Sequence, residues 1–209
     1  MIRTLMACLF VLGAFASATA ALTRGFTQWT FESVRRADAH DGRLIAPRID
    51  VIDSENGELV MWATTGDPDA VYIVDFVYTH CITICQALGP EFTQMQALVA
   101  SNPSLCRNVR LASLSLDVER DGNAELAEYA RRNRADPALW TVAAPRSLQT
   151  SKQLMQQLGV IAIPDGFGGF VHNGTIHIID GRGVVHGIYD TARWREALAA
   201  ASSLAERGP

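Results

Sequence analysis

Apolar residues recur along this chain with two alternating periods. Tyr72-Ile73-Val74-Asp75-Phe76-Val77-Tyr78 is an almost unbroken apolar run bounded by Gly66-Asp67-Pro68-Asp69, which predicts a central strand. From Gln86 to Ala100 the spacing changes, and Leu88, Phe92, Met95, Leu98 and Val99 share one face of a helix. The alternation then repeats. Val109 to Asp117 predicts a second long strand, and Ala124 to Asn133 a helix with Leu126, Tyr129 and Ala130 on one face. Trp140 to Ala143 predicts a third core strand, and Ser147 to Leu158 a helix ended by Gly159. Two hairpins flank these units. Ile49–Asp53 and Glu58–Trp62 meet at an Asn56-Gly57 turn, whereas Thr175–Asp180 and Val184–Ile188 meet at Gly181-Arg182-Gly183. A last helix is predicted from about Asp190 to Ala205.

Strand–helix units closed by a hairpin and a helix predict an α/β protein over residues 49–206. The expected architecture is a thioredoxin-like fold with an N-terminal β-hairpin and a C-terminal hairpin plus helix. A composition of 48% hydrophobic and 19% charged residues is ordinary for one globular domain. The net charge of -4 leaves no footprint for nucleic acid. The glycine-rich loop Pro164 to Phe170 is not set between a strand and a helix, so it does not read as a phosphate cradle.

The N-terminus sets the compartment. Arg3 precedes an apolar stretch from Leu5 to Ala18, and small residues through Ala21 follow, with Ala18-Thr19-Ala20 as the expected cleavage site. Residues 1–20 are therefore a signal peptide, or an uncleaved N-terminal anchor, since Leu5 to Leu22 approaches the roughly 17–25 residues that span a bilayer. Cys8 precedes the apolar core, which argues against a lipidation signal. Residues 21–48 form an N-terminal extension. The protein is expected to be exported and periplasmic, anchored to the inner membrane if the segment is retained. Disulfides are permitted there.

Three cysteines remain beyond the signal, too few for a disulfide scaffold. Cys81 and Cys85 fall where the first long strand hands over to its helix. Unpaired amides and the helix dipole at that point favour thiolate, lowering a cysteine pKa from its free value of about 8.5. Side chains four apart in a regular helix have β-carbons about 5–6 Å apart, whereas a disulfide wants about 4 Å. Cys81 is thus expected just before the helix and Cys85 in its first turn, a loop that closes to a disulfide or opens around a metal. A structural disulfide is the plainer alternative, although so short a loop restrains little chain entropy. Cys106 reads as a buried or free thiol.

Three motifs now carry a resemblance. Phe76-Val77-Tyr78-Thr79-His80-Cys81-x-x-x-Cys85, then Ser115-Leu116-Asp117-x-x-x-Asp121, then His172 eight residues ahead of Asp180 resemble the SCO/SenC family over about residues 50–190. Gln86 stands where the family usually has proline, and Val171 and Asn173 flank the histidine where it often has an acidic residue and a serine. The resemblance implies an exported, often membrane-tethered thioredoxin-fold protein. It implies copper, one ion per chain, held by Cys81, Cys85 and His172. It also implies a partner, the copper-accepting subunit of a respiratory oxidase or another copper protein, whose binuclear copper centre is matured.

Ligand chemistry is consistent with that set. Two thiolates and an imidazole suit copper, whereas zinc prefers a fourth ligand. Asp117, ending a strand at the same sheet edge, is either a carboxylate that orients the site or a helix cap. His172 has a plainer reading as a loop residue in a hairpin between Phe170-Val171 and Thr175-Ile176. His80 reads as a polar neighbour of the site, and His177 and His186 as structural residues in strands. Two functions stay open: a metallochaperone, or a thiol-disulfide oxidoreductase whose Cys81–Cys85 pair reduces a partner and is recycled by a thiol reductant. A reductase has no need of a histidine ligand. Peroxide reduction is more distant, because no resolving-cysteine pattern appears.

Overall fold

The computed structural model describes residues 2–55, 57–62, 69–80, 85–164, 166 and 169–208, with the backbone alone for residues 85–88 and Cys106. The chain forms two compact units, residues 1–38 and 39–209. In the first, α1 (Ile2–Leu22) is apolar and exposed along its length. Its 21 residues make a helix about 32 Å long, enough to cross a hydrocarbon core. α2 (Phe31–His40), whose last two residues are counted in the second unit, follows, held by Glu32 pairing with Arg35 and Arg36. This helix was not expected within the extension.

The second unit is built on one seven-stranded sheet. β1 (Ile49–Asp53) and β2 (Glu58–Met61) are the expected first hairpin. β3 (Val71–Val77) is buried on both faces, as its continuous apolar run requires. α3 (Cys85–Ala100) comes next, then α4 (Pro103–Asn108), a short helix opened by the Asn102 cap on Ser104 N and by Pro103. β4 (Val109–Ser115), α5 (Asn123–Asn133), β5 (Trp140–Pro145) and α6 (Leu148–Leu158) complete the alternating units. Gly159 ends α6 in the left-handed region at φ 64°, where a side chain would be strained.

β6 (Ala162–Pro164) and β7 (Phe170–His172) pair with each other as a separate two-stranded sheet. β8 (Thr175–Asp180), β9 (Val185–Asp190), one 3₁₀ turn at Thr191–Arg193 and α7 (Trp194–Arg207) finish the chain. The strand order is β2-β1-β5-β4-β3-β8-β9. β3, β4 and β5 run parallel, and β8 lies antiparallel to β3 with Val74 opposite His177. This is the expected thioredoxin-like α/β fold. One corner differs from expectation: β7 turns back onto β6 instead of forming a hairpin with β8.

The core lies on both faces of the sheet. On one, Ile73, Val77, Leu111 and Trp140 pack with Phe92 and Met95 of α3, Leu126 of α5 and Ala197 of α7. On the other, Val74, Phe76, Leu114 and Ile179 pack with Leu154 and Leu158 of α6. Gly89 of α3 sits where a β-carbon would come 2.1 Å from Asn133 Oδ1, so α5 closes directly on α3. The Thr93 hydroxyl, donating to Gly89 O or to Asn133 O (2.9 Å each), sits at this junction.

Candidate metal centre

Parallel strands send their carboxyl ends to one edge, and a strand antiparallel to them begins there. The segments after β3 and β4 and the segment ahead of β8 therefore meet at a single edge. Cys81 lies outside the described residues. Cys85 opens α3 as expected, and its side chain is outside them.

Asp121 ties this edge together. Its buried carboxylate accepts from Thr79 N (2.9 Å), the Thr79 hydroxyl (2.7 Å) and the Ser115 hydroxyl (2.7 Å), joining the exits of β3 and β4. His80 Nδ1 stands 3.5 Å from the same carboxylate with its side chain largely exposed, which agrees with a polar neighbour. The sequence places Asp121 in the motif Ser115-Leu116-Asp117-x-x-x-Asp121 without assigning it a role.

His172 is buried at the end of β7 and stands edge-on to Tyr78, ring centres 6.3 Å apart. Tyr78 is three residues ahead of Cys81. Burial pushes the His172 pKa down, partly offset by the Asn173 backbone, which favours the neutral imidazole, the form that binds metal. Asn173 fixes the base of the hairpin: its Oδ1 accepts from Ile161 N at 2.7 Å and its Nδ2 donates to Gly159 O at 3.1 Å. His172 is thus a strand residue of the β6–β7 hairpin, and not the loop residue of a β7–β8 hairpin.

Asp117 lies two residues beyond β4, which ends at Ser115 and not at Asp117 as expected. Its amide donates to Ser115 Oγ and its carboxylate takes Arg120, with Nε and Nη2 both 2.5 Å from Oδ2. His177 is fully buried in β8, edge-on to Phe76 at 5.5 Å. His186 Nε2 lies 3.0 Å from Asp180 at the β8–β9 turn, far along the sheet from His172. Cys106 falls in α4, its side chain outside the described residues. Among the described residues no three His, Cys, Asp or Glu side chains group to hold a metal.

One buried acid was not foreseen. Asp75 lies in mid-strand on the face where Ile73 and Val77 meet α3, fully shielded from water. Among the described residues neither of its oxygens makes a hydrogen bond of normal geometry. Burial, reinforced by the Glu91 carboxylate of α3, pushes its pKa up to about 7. Ser113, its register partner, offsets part of this; its hydroxyl accepts from Trp140 Nε1 at 3.0 Å and keeps its own proton to offer the carboxyl.

A mixed sheet with helices on both faces, and a helix opening at Cys85 beyond its carboxyl edge, defines a thioredoxin-like protein. The chain belongs to the SCO1/SenC family, whose model matches residues 54–204. Comparison with curated protein sequences finds no match. Solved structures share the fold. A SCO1/SenC family lipoprotein from Bacillus anthracis is 17% identical with a TM-score of 0.68, covering 78% of this chain and 95% of that one. ScoI of Bradyrhizobium japonicum, solved with copper bound, is 19% identical with a TM-score of 0.60 over 79% of this chain and 99% of that one. BsSco, a member of the Sco family of cytochrome c oxidase assembly proteins described as having a disulfide switch, is 17% identical with a TM-score of 0.65 over 78% and 94%.

Proposed function

We propose that this protein is an exported metallochaperone that binds one copper ion through Cys81, Cys85 and His172 and passes it to a copper-accepting subunit of a respiratory oxidase. The observation that carries the reading is His172, buried beside Tyr78 at the edge where the chain runs on to the cysteine pair. A soft thiolate pair with one imidazole suits copper, and leaves the metal open to attack by an acceptor's ligands. Copper bound to ScoI and the oxidase-assembly role of BsSco support the same reading.

The two sulfurs serve either a metal or a disulfide. Oxidation of the pair expels copper, and a thiol reductant must restore the binding form. The apolar helix α1 fits export, with the folded unit held at the membrane if the helix is retained. Anaerobic copper titration of the reduced protein tests the assignment. One ion per chain is expected, with binding abolished in Cys81→Ala and in Cys85→Ala. Full-strength binding in either variant contradicts it and favours the oxidoreductase reading.

A further inference from the structure

The hairpin that carries His172 has little to hold it. β6 and β7 have three residues each and, among the described residues, pair only with one another. Two short strands are marginal by themselves in water, so contacts from elsewhere must fix this one. Asn173 secures its base. At the other end, Phe170 and His172 alternate with Val171, so both rings share one face of β7 while Val171 is largely exposed.

A continuous stack meets that face. The Arg120 guanidinium carbon stands 6.0 Å from the centre of the Phe170 ring, within cation–π range. Phe170 packs edge-on against Tyr78 at 5.6 Å and 76°, and Tyr78 packs edge-on against His172 at 6.3 Å and 76°. Behind Arg120, Asp117 takes Nε and Nη2 on one oxygen, each at 2.5 Å. Asp117 is itself nearly buried, anchored through its amide on Ser115, whose hydroxyl also serves Asp121. The stack thus starts from a rigid strand exit and ends on the imidazole.

We propose that Arg120, seated on Phe170 and braced by Asp117, is a positioning residue that holds the hairpin against Tyr78 and so aims His172 at the metal. The role of aiming a ligand rests on the copper reading above; the clamp itself is a property of the metal-free chain. Asp117 then orients the site through Arg120 and two aromatic rings.

Two readouts on the full chain separate the clamp from the copper reading. In the metal-free protein, nuclear Overhauser effects between the Tyr78 and His172 rings should be strong. They should weaken in Arg120→Ala and in Phe170→Leu, and return in Phe170→Tyr. With copper, competition against a chelator should show binding two- to fivefold weaker in Arg120→Ala, the factor a surface cation–π contact supports, and partly restored in Arg120→Lys. Ring-to-ring Overhauser effects of unchanged strength in Arg120→Ala and Phe170→Leu overturn the clamp, even if copper affinity falls. Weakened effects in those two variants, in a chain that binds no copper at all, uphold the clamp and overturn the copper reading instead.

Discussion

Two aspartates, both shut off from water, are treated in opposite ways by the regions around them. At the β8–β9 turn, Asp180 accepts from Arg182 N and Val184 N at 2.9 Å each, with Arg182 Nη2 at 3.2 Å and His186 Nε2 at 3.0 Å. Burial raises its pKa, but the His186, backbone and Arg182 partners outweigh that and hold the carboxyl below its usual range. Asp75 has deeper burial and weaker donors, Ser113 and its own backbone, which do not offset it, and is pushed up to about 7. The depth of a carboxyl and the supply of donors around it together fix its state. A turn exposes unpaired amides that a carboxylate can collect, whereas mid-strand amides are already spent on the ladder. Asp180 is therefore part of what folds the turn. Asp75 is a cost carried beneath the helix that begins at Cys85.

The largest effect belongs to Asp75. Its folded pKa lies above the unfolded value, so the penalty is absent below about pH 4, grows as pH rises, and is complete above about pH 7. A shift from 3.8 to about 7 corresponds to roughly 4 kcal/mol. Asp75→Asn should stabilise the protein by up to about that amount at pH 8, with the gain fading toward pH 4. Denaturant unfolding at the two pH values measures it, and a destabilised variant at pH 8 would erase the contrast between the two aspartates.

A smaller effect of opposite sign is expected at the turn. Asp180→Ala strands two backbone amides and should cost about 2–3 kcal/mol at pH 7. The folded pKa of Asp180 is lowered, so its contribution is present above about pH 4 and is lost as pH falls through the folded value. Copper stoichiometry should be unchanged, because this turn lies at the far end of β8 from His172. A variant that folds well but loses copper would show the two ends to be coupled.

Much of this arrangement is written in the sequence, and the rest is hidden for definite reasons. β3, β4 and α3 were legible because long runs of one period outweigh local propensity. β6 and β7 were not, since three-residue strands show no period and sit in a glycine-rich stretch. α4 was missed because six residues opened by proline carry no periodic face, and α2 because its charged residues mask any apolar one. At the candidate site, Cys81, Cys85 and His172 stand out by chemistry and family pattern. Arg120 and Phe170 do not, because a contact between residues 50 positions apart leaves no local trace. Asp75 reads as part of a strand, its apolar neighbours concealing the acid among them.

The central claim is that two sulfurs and one imidazole share a single copper. X-ray absorption of the copper-loaded chain, beside His172→Ala, tests it most directly. The account predicts two sulfur neighbours and one nitrogen or oxygen neighbour with imidazole scattering, and predicts loss of that imidazole signal alone in His172→Ala. Identical spectra from the two proteins would contradict it.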